Sequence, residues 1–316
     1  MVLDLRFSDY FLHKTVKSVL LASKRDKRSK PPYQAAVKKV MGEKFVYDEV
    51  LSWKSIVYSG VACDSQDRVY IIRRTHLPAI LVFDSEGNFL KSFGEDLFEV
   101  PHGIWMSPED ILYCTDIGNH TVTKLSLEGE VLMTMGTKGQ TGAPGEPFNR
   151  PTRAVEAPSG DIFVSDGYGQ ERVHRFSPEG DLILSWGTKG TGPGQFTLPH
   201  SIWVDRKEWV YVADRMSGRI EIFNVEGKFL NQWIGLAYPN EIYIDQHNTV
   251  YVAESGLGTG EPAFVDAGRV SVLNAEGETL ARIRSRISHG IWVDSKGNIY
   301  VTNLILGITK HVRKTP

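Results

Sequence analysis

The sequence has little with which to staple or anchor itself. Cysteine occurs twice in 316 residues, at Cys63 and Cys114. Two cysteines exclude a disulfide framework and a cysteine zinc cluster. Their settings, "GVACDS" and "LYCTD", read as buried strand thiols, so a reducing, cytoplasmic location is expected. No run of about 18 apolar residues is present to cross a membrane as a helix. The first thirty residues lack the order of a secretory signal: acidic residues come early and no small-residue cleavage site follows. A formal net charge of −2 gives no overall attraction to nucleic acid or to an anionic membrane.

The charge that exists is unevenly spread. Residues 1–42 hold ten Lys/Arg against three Asp. Residues 1–43 therefore read as a basic, mostly helical N-terminal arm with a break at "KPP". The run "KRDKRSK" reads as solvated surface rather than a nucleic-acid site, and the arm is where a homo-oligomer contact would be sought. Residues 44–316 read as one domain.

That domain is repetitive. Six segments, "RVYII", "ILYCT", "DIFVS", "WVYVA", "TVYVA" and "NIYVT", place Tyr70, Tyr113, Phe163, Tyr211, Tyr251 and Tyr300 at intervals of 40 to 50 residues. A short apolar strand and an Asp-containing turn precede most of these aromatics, as in "WVDSKGNIYV". A second strand pair around "EG" follows most of them, as in "VFDSEGNFLKSFG". Short strands joined by Gly, Asp and Asn turns are hairpin signals. Four per repeat, six times over, predict an all-β, six-bladed β-propeller. The last repeat has room for three strands, and "KFVYDEVLSW" (44–53) is available to supply the fourth and close the ring. The glycine-rich links "GTKGQTGAPGEPFNRPT" and "GTKGTGPGQFTLPH" resemble those of the NHL repeat.

The repeat serves as a ruler. Eleven residues before each marker aromatic stand Ser59, His102, Thr152, His200, Asn240 and His289. Histidine thus occupies the start of the inner strand in blades 2, 4 and 6, with small polar residues in between. Alternate blades of six are related by about a threefold rotation, so three imidazoles would converge on the channel axis at one end. A lone histidine after a turn is more often a structural hydrogen-bonder. Three in strict alternation point instead to a metal with an open fourth position, Zn2+ or another divalent transition metal.

Three residues after the marker come Arg73, Asp116, Asp166, Asp214, Glu254 and Asn303, whose acids read as strand-end hydrogen-bonders because they recur on blades with and without histidine. Arg74 and Arg215 lie one residue later, on blades 1 and 4, and Tyr168 lies beyond Asp166 in "SDGYGQER". An arginine at the channel mouth offers a fork for a carboxylate, although a blade-surface ion pair explains Arg215 as well. A tyrosine beside a metal and an arginine can serve as a base. Arg172, Arg219 and Arg269 share a frame along the third strands and read as scaffold.

On these residues the run from about 57 to 303 resembles the catalytic domain of peptidyl-α-hydroxyglycine α-amidating lyase, an NHL-type six-bladed propeller. The resemblance implies zinc on the histidines of "VPHGIW", "LPHSIW" and "ISHGIW", namely His102, His200 and His289. It implies a catalytic tyrosine at Tyr168 in "VSDGYGQERV". Two substrate-facing arginines are implied as well, Arg215 in "VADRMSGRI" and Arg74 in "YIIRRTHLP", with Arg73 adjacent. The activity implied is cleavage of a carbinolamide, N–CH(OH)–COO⁻, to an amide and glyoxylate or a related aldehyde acid, on a small or peptidyl substrate carrying a carboxylate. There are departures. Gly290 stands where the family has an aspartate that helps to bind a structural Ca2+, which speaks against calcium here, and the family's disulfides cannot form. Other readings are a non-catalytic NHL propeller that binds protein, a lactonase-type hydrolase with axial carboxylates, and a propeller lyase, hydratase or isomerase that uses histidine without zinc.

Overall fold

The computed structural model describes residues 47–53, 57–74, 77–256, 268–285, 287–303 and 307–314; the expected N-terminal arm lies outside them. Among the described residues, six four-stranded antiparallel sheets form in succession. Each sheet is one blade of a six-bladed β-propeller, and each inner strand contacts the inner strand of the next blade. The inner strands are Tyr58–Cys63, Pro101–Met106, Arg153–Glu156, Pro199–Val204, Pro239–Ile244 and Ile291–Val293 for blades 1 to 6. Blade 6 takes its fourth strand from the other end of the chain: Tyr47–Trp53 pairs antiparallel with Gly307–Arg313. This pairing closes the ring and covers an edge that would otherwise invite other strands.

The sequence period has a local cause. After the inner strand, Asp64, Asp205, Asp245 and Asp294 each accept two backbone N–H groups, from residues two and four further on. Such Asx turns reverse the chain without help from tertiary contacts. The marker tyrosines Tyr70, Tyr211, Tyr251 and Tyr300 then donate their hydroxyls to the second oxygen of the same aspartate, at 3.2, 3.2, 3.5 and 3.4 Å. Blade 2 has Ser107 at the turn, so the Tyr113 hydroxyl donates to Glu156 of blade 3 instead. Blade 3 has Ala157 there, and its marker is Phe163, which has no hydroxyl to satisfy.

The acids at the other end of the second strands hold the approach to each inner strand. Asp116 accepts Glu99 N and Val100 N, Asp166 accepts Asn149 N, and Asp214 accepts Thr197 N and Leu198 N. Arg219 and Arg269 pair with Asp214 and Glu254 at 3.1 and 2.8 Å. The aromatic residues Trp105, Trp203, Tyr243 and Trp292 meet around the axis with ring centroids 5.0–6.3 Å apart. All four line a cavity at the turn end of the inner strands. Among the described residues, no helix is long and apolar enough to cross a membrane.

Candidate metal centre

The strand register sets the histidines up. In blades 1, 2, 4 and 5 the pairing of inner and second strand slips by one residue at the repeat position, between Tyr58 and Gly60, Pro101 and Ile104, Pro199 and Ser201, and Pro239 and Glu241. A bulge lifts its residue out of the ladder and re-aims it. His102 and His200 sit on two of these bulges, and His289 precedes the strand of blade 6 by two residues.

The three rings form a near-equilateral triangle with centroids 5.0, 5.0 and 4.9 Å apart. Their ligand nitrogens all lie within 4.8 Å of one another, and all three residues are buried. Each Nδ1 meets the backbone carbonyl of the following blade at the same repeat position. His102 points to Thr152 O at 2.8 Å, His200 to Asn240 O at 2.8 Å, and His289 to Ser59 O at 2.6 Å. A carbonyl can only accept, so each Nδ1 carries the proton and each Nε2 keeps a lone pair directed inward. Odd blades therefore supply carbonyls and even blades supply rings. This outer support fixes tautomer and orientation, which is what a metal-ligating imidazole requires.

Burial holds all three imidazoles well below their usual pKa. The positive Arg74 beside His102 and His289, and Arg215 beside His200 and His289, push in the same direction. The rings are neutral at physiological pH and ready to bind a cation. His289 Nε2 is buried and has no partner among the described residues. An inward lone pair with no proton to receive, in a ring of three, fits a divalent metal of the imidazole-binding class.

Tyr168 reaches the same point from blade 3. Its hydroxyl lies 3.2 Å from His102 Nε2 and 2.9 Å from His200 Nε2. The flanking glycines permit this approach. A Cβ on Gly167 would stand 2.1 Å from Pro199 O, and one on Gly169 would stand 2.1 Å from Asn149 Oδ1. Arg215 opens the short 3-10 turn Arg215–Ser217 that follows the second strand of blade 4. Arg215 Nε, Arg74 Nε and Arg74 Nη2 are buried without partners among the described residues. Two guanidiniums thus face three neutral imidazoles with donors to spare, a setting that favours an anion. The neighbouring Arg73 points elsewhere and donates to Pro78 O at 2.8 Å. The carbonyls of Ser59, Thr152 and Asn240 are the part of the site that residue types alone did not reveal. Their places in the repeat were visible, but a backbone acceptor leaves no mark on side-chain identity.

A family model described as a six-bladed β-propeller matches residues 151–255. A Caenorhabditis elegans protein named "Probable peptidyl-alpha-hydroxyglycine alpha-amidating lyase" is 32% identical over a match covering 71% of this chain and 67% of that protein. The mouse peptidyl-glycine alpha-amidating monooxygenase is 32% identical over 81% of this chain, which spans only 31% of that longer protein. Among solved structures, a streptogramin B lyase superposes with a TM-score of 0.60 at 16% identity, covering 85% of this chain and 98% of that one. At that identity the superposition speaks for the fold alone.

Proposed function

The chain belongs to the peptidyl-α-hydroxyglycine α-amidating lyase family of NHL-repeat β-propellers, and from that membership we propose that it is a zinc-dependent carbon–nitrogen lyase acting on an α-hydroxyglycine-type carbinolamide. The observation that carries this reading is the meeting of three neutral, inward-facing imidazoles with guanidinium nitrogens of the half-buried Arg74 and Arg215 that have no partner among the described residues. His102, His200 and His289 would hold the metal. A bound divalent metal supplies Lewis-acid polarisation of the substrate's hydroxyl oxygen.

The protein's own groups account for the remaining steps. Arg74 and Arg215 bind the carboxylate as two fixed donors and orient the substrate toward the rings. Where their nitrogens are buried, at Arg74 Nε and Nη2 and Arg215 Nε, water competes less for the N–H groups. Tyr168, entering the step as its phenolate, receives the hydroxyl proton at its phenol oxygen. The carbon–oxygen bond becomes a carbonyl, the carbon–nitrogen pair leaves with nitrogen, and the proton is returned there. The products are an amide and an aldehyde acid, glyoxylate in the simplest case. Cys63 and Cys114, buried as free thiols, suit a reducing compartment.

Incubation of the metal-loaded protein with α-hydroxyhippurate tests the reaction. Benzamide and glyoxylate are expected in equal amounts, and Tyr168→Phe should lower kcat by about 10²–10⁴-fold, the usual worth of a general base. Turnover unchanged in Tyr168→Phe removes Tyr168 from that role. No glyoxylate from the wild type overturns the lyase reading.

A further inference from the structure

One residue beyond the histidine position, the six inner strands carry Gly60, Gly103, Arg153, Ser201, Glu241 and Gly290. Arg153 and Glu241 are buried, with 1% and 4% of their surface exposed. Nη1 of Arg153 pairs with Oε1 of Glu241. The two residues belong to blades 3 and 5, with blade 4 between them, so their side chains meet across the channel. At the glycine positions strand packs closely against strand. A Cβ on Gly103 would stand 2.5 Å from Thr152 O, and one on Gly290 would stand 2.9 Å from Gly60 Cα. Burial pushes the Glu241 carboxyl up to about 7, against the pull of Arg153 in the other direction.

The ends of this pair adjoin two of the three carbonyls that support the ring and reach the backbone on either side of the third histidine. Arg153 directly follows Thr152, whose carbonyl takes His102 Nδ1. Glu241 directly follows Asn240, whose carbonyl takes His200 Nδ1 and whose amide donates to Ser288 O, next to His289, at 2.6 Å. Oε1 of Glu241 also accepts Ile291 N, two residues past His289, at 3.3 Å. The aspartate that helps to bind calcium in the resembling family falls at this level, at the position of Gly290. Calcium takes six to eight oxygen ligands. Here the local carboxylate is already neutralised by a guanidinium and Gly290 offers no oxygen side chain, so the residues do not fit that ion.

We propose that Arg153 and Glu241 form an internal charge clamp that positions the three imidazoles and stands in for a structural calcium. The positioning half rests on the metal-centre reading above. The clamp acts through the backbone on either side of the ring, so its loss moves metal affinity even with every ligand in place. Losing one partner also leaves the other buried and uncompensated.

The test is Co2+ binding to the full chain, read from its visible spectrum and by competition with a chelator, beside thermal melts with and without added Ca2+. Arg153→Met and Glu241→Gln should each weaken Co2+ binding by about 10–100-fold, the usual effect of losing a group that orients metal ligands. Arg153→Lys should recover part of the loss, and Ca2+ should leave the wild-type melting temperature unmoved. Wild-type Co2+ affinity in folded Arg153→Met and Glu241→Gln overturns the positioning claim. A wild-type melt raised by Ca2+ overturns the replacement claim, and it needs no variant to fold. A wild type that takes up no Co2+ overturns the metal-centre reading and the positioning claim with it, while the calcium melt still decides the other half.

Discussion

The two mouths of the channel are built from the same repeat and differ in what their polar groups do. At the turn end lies a cavity of about 720 Å³ lined by Asp64, Asp205, Asp245 and Asp294. Those carboxylates are satisfied by their own turns and by the marker tyrosines. Among the described lining residues, the buried polar atom left without a partner is Trp105 Nε1. At the histidine end the pattern reverses, with unpartnered nitrogens on His289, Arg74 and Arg215. The acids come back blade after blade because they build turns. The histidines alternate, and Tyr168 and the arginines occur once each. Chemistry is therefore to be sought where the repeat is broken and polar groups are left unsatisfied, not in the turn-end cavity.

That contrast can be broken by mutation. The largest effect is expected at the histidine end. His102→Ala or His289→Ala should lower glyoxylate release by at least about 10³-fold, since a Lewis-acid metal contributes several kcal/mol. Arg74→Met and Arg215→Met come next, with kcat/KM expected to fall by about 10²–10³-fold, the usual cost of one fixed donor. Arg73→Met, which loses the bond to Pro78 O, should stay near wild type in the same assay. At the turn end the effects change kind. Asp205→Ala removes the acceptor of Lys207 N, Trp209 N and the Tyr211 hydroxyl, which should cost about 1–3 kcal/mol in denaturant melts. Metal content should be unchanged there. A turn-end variant that loses metal but not stability would erase the distinction.

An effect confined to low pH separates a buried histidine from a ligand. His311, on the third strand of blade 6, is buried and held at about 4 rather than 6.5 by burial. The unfolded chain takes up a proton as the pH falls through 6.5, and the folded chain does not until about 4. Its contribution is therefore present above pH 6.5 and lost as the pH falls through 4, at up to about 1.4 kcal/mol per pH unit. His311→Phe should flatten the stability–pH curve across that window and leave metal content alone. A curve of unchanged slope would remove His311 as a source of acid sensitivity.

Much of this architecture was legible in the sequence because a local cause repeats. The Asx turn and its tyrosine recur at fixed spacing, so six aromatics located six second strands, and counting back eleven residues located the ring. The segment before the first blade was also legible, since a three-strand last repeat has an open edge to fill. What stayed hidden depends on direction and on pairing at a distance. Arg73 and Arg74 are neighbours in "IIRRT", and only the path of the chain sends Arg74 to the rings and Arg73 to Pro78. Thr152 and Asn240 act through carbonyls, which every residue has. Arg153 and Glu241 sit on different blades, and nothing in their own segments signals that they meet across the axis.

The central claim is that the alternating histidines hold one metal ion, and the most direct test is the metal content of protein purified without added metal. About one equivalent of transition metal per chain is expected in the wild type, zinc foremost, with loss of that metal in His200→Ala. Less than about half an equivalent in the wild type, or equal content in His200→Ala, would contradict the account.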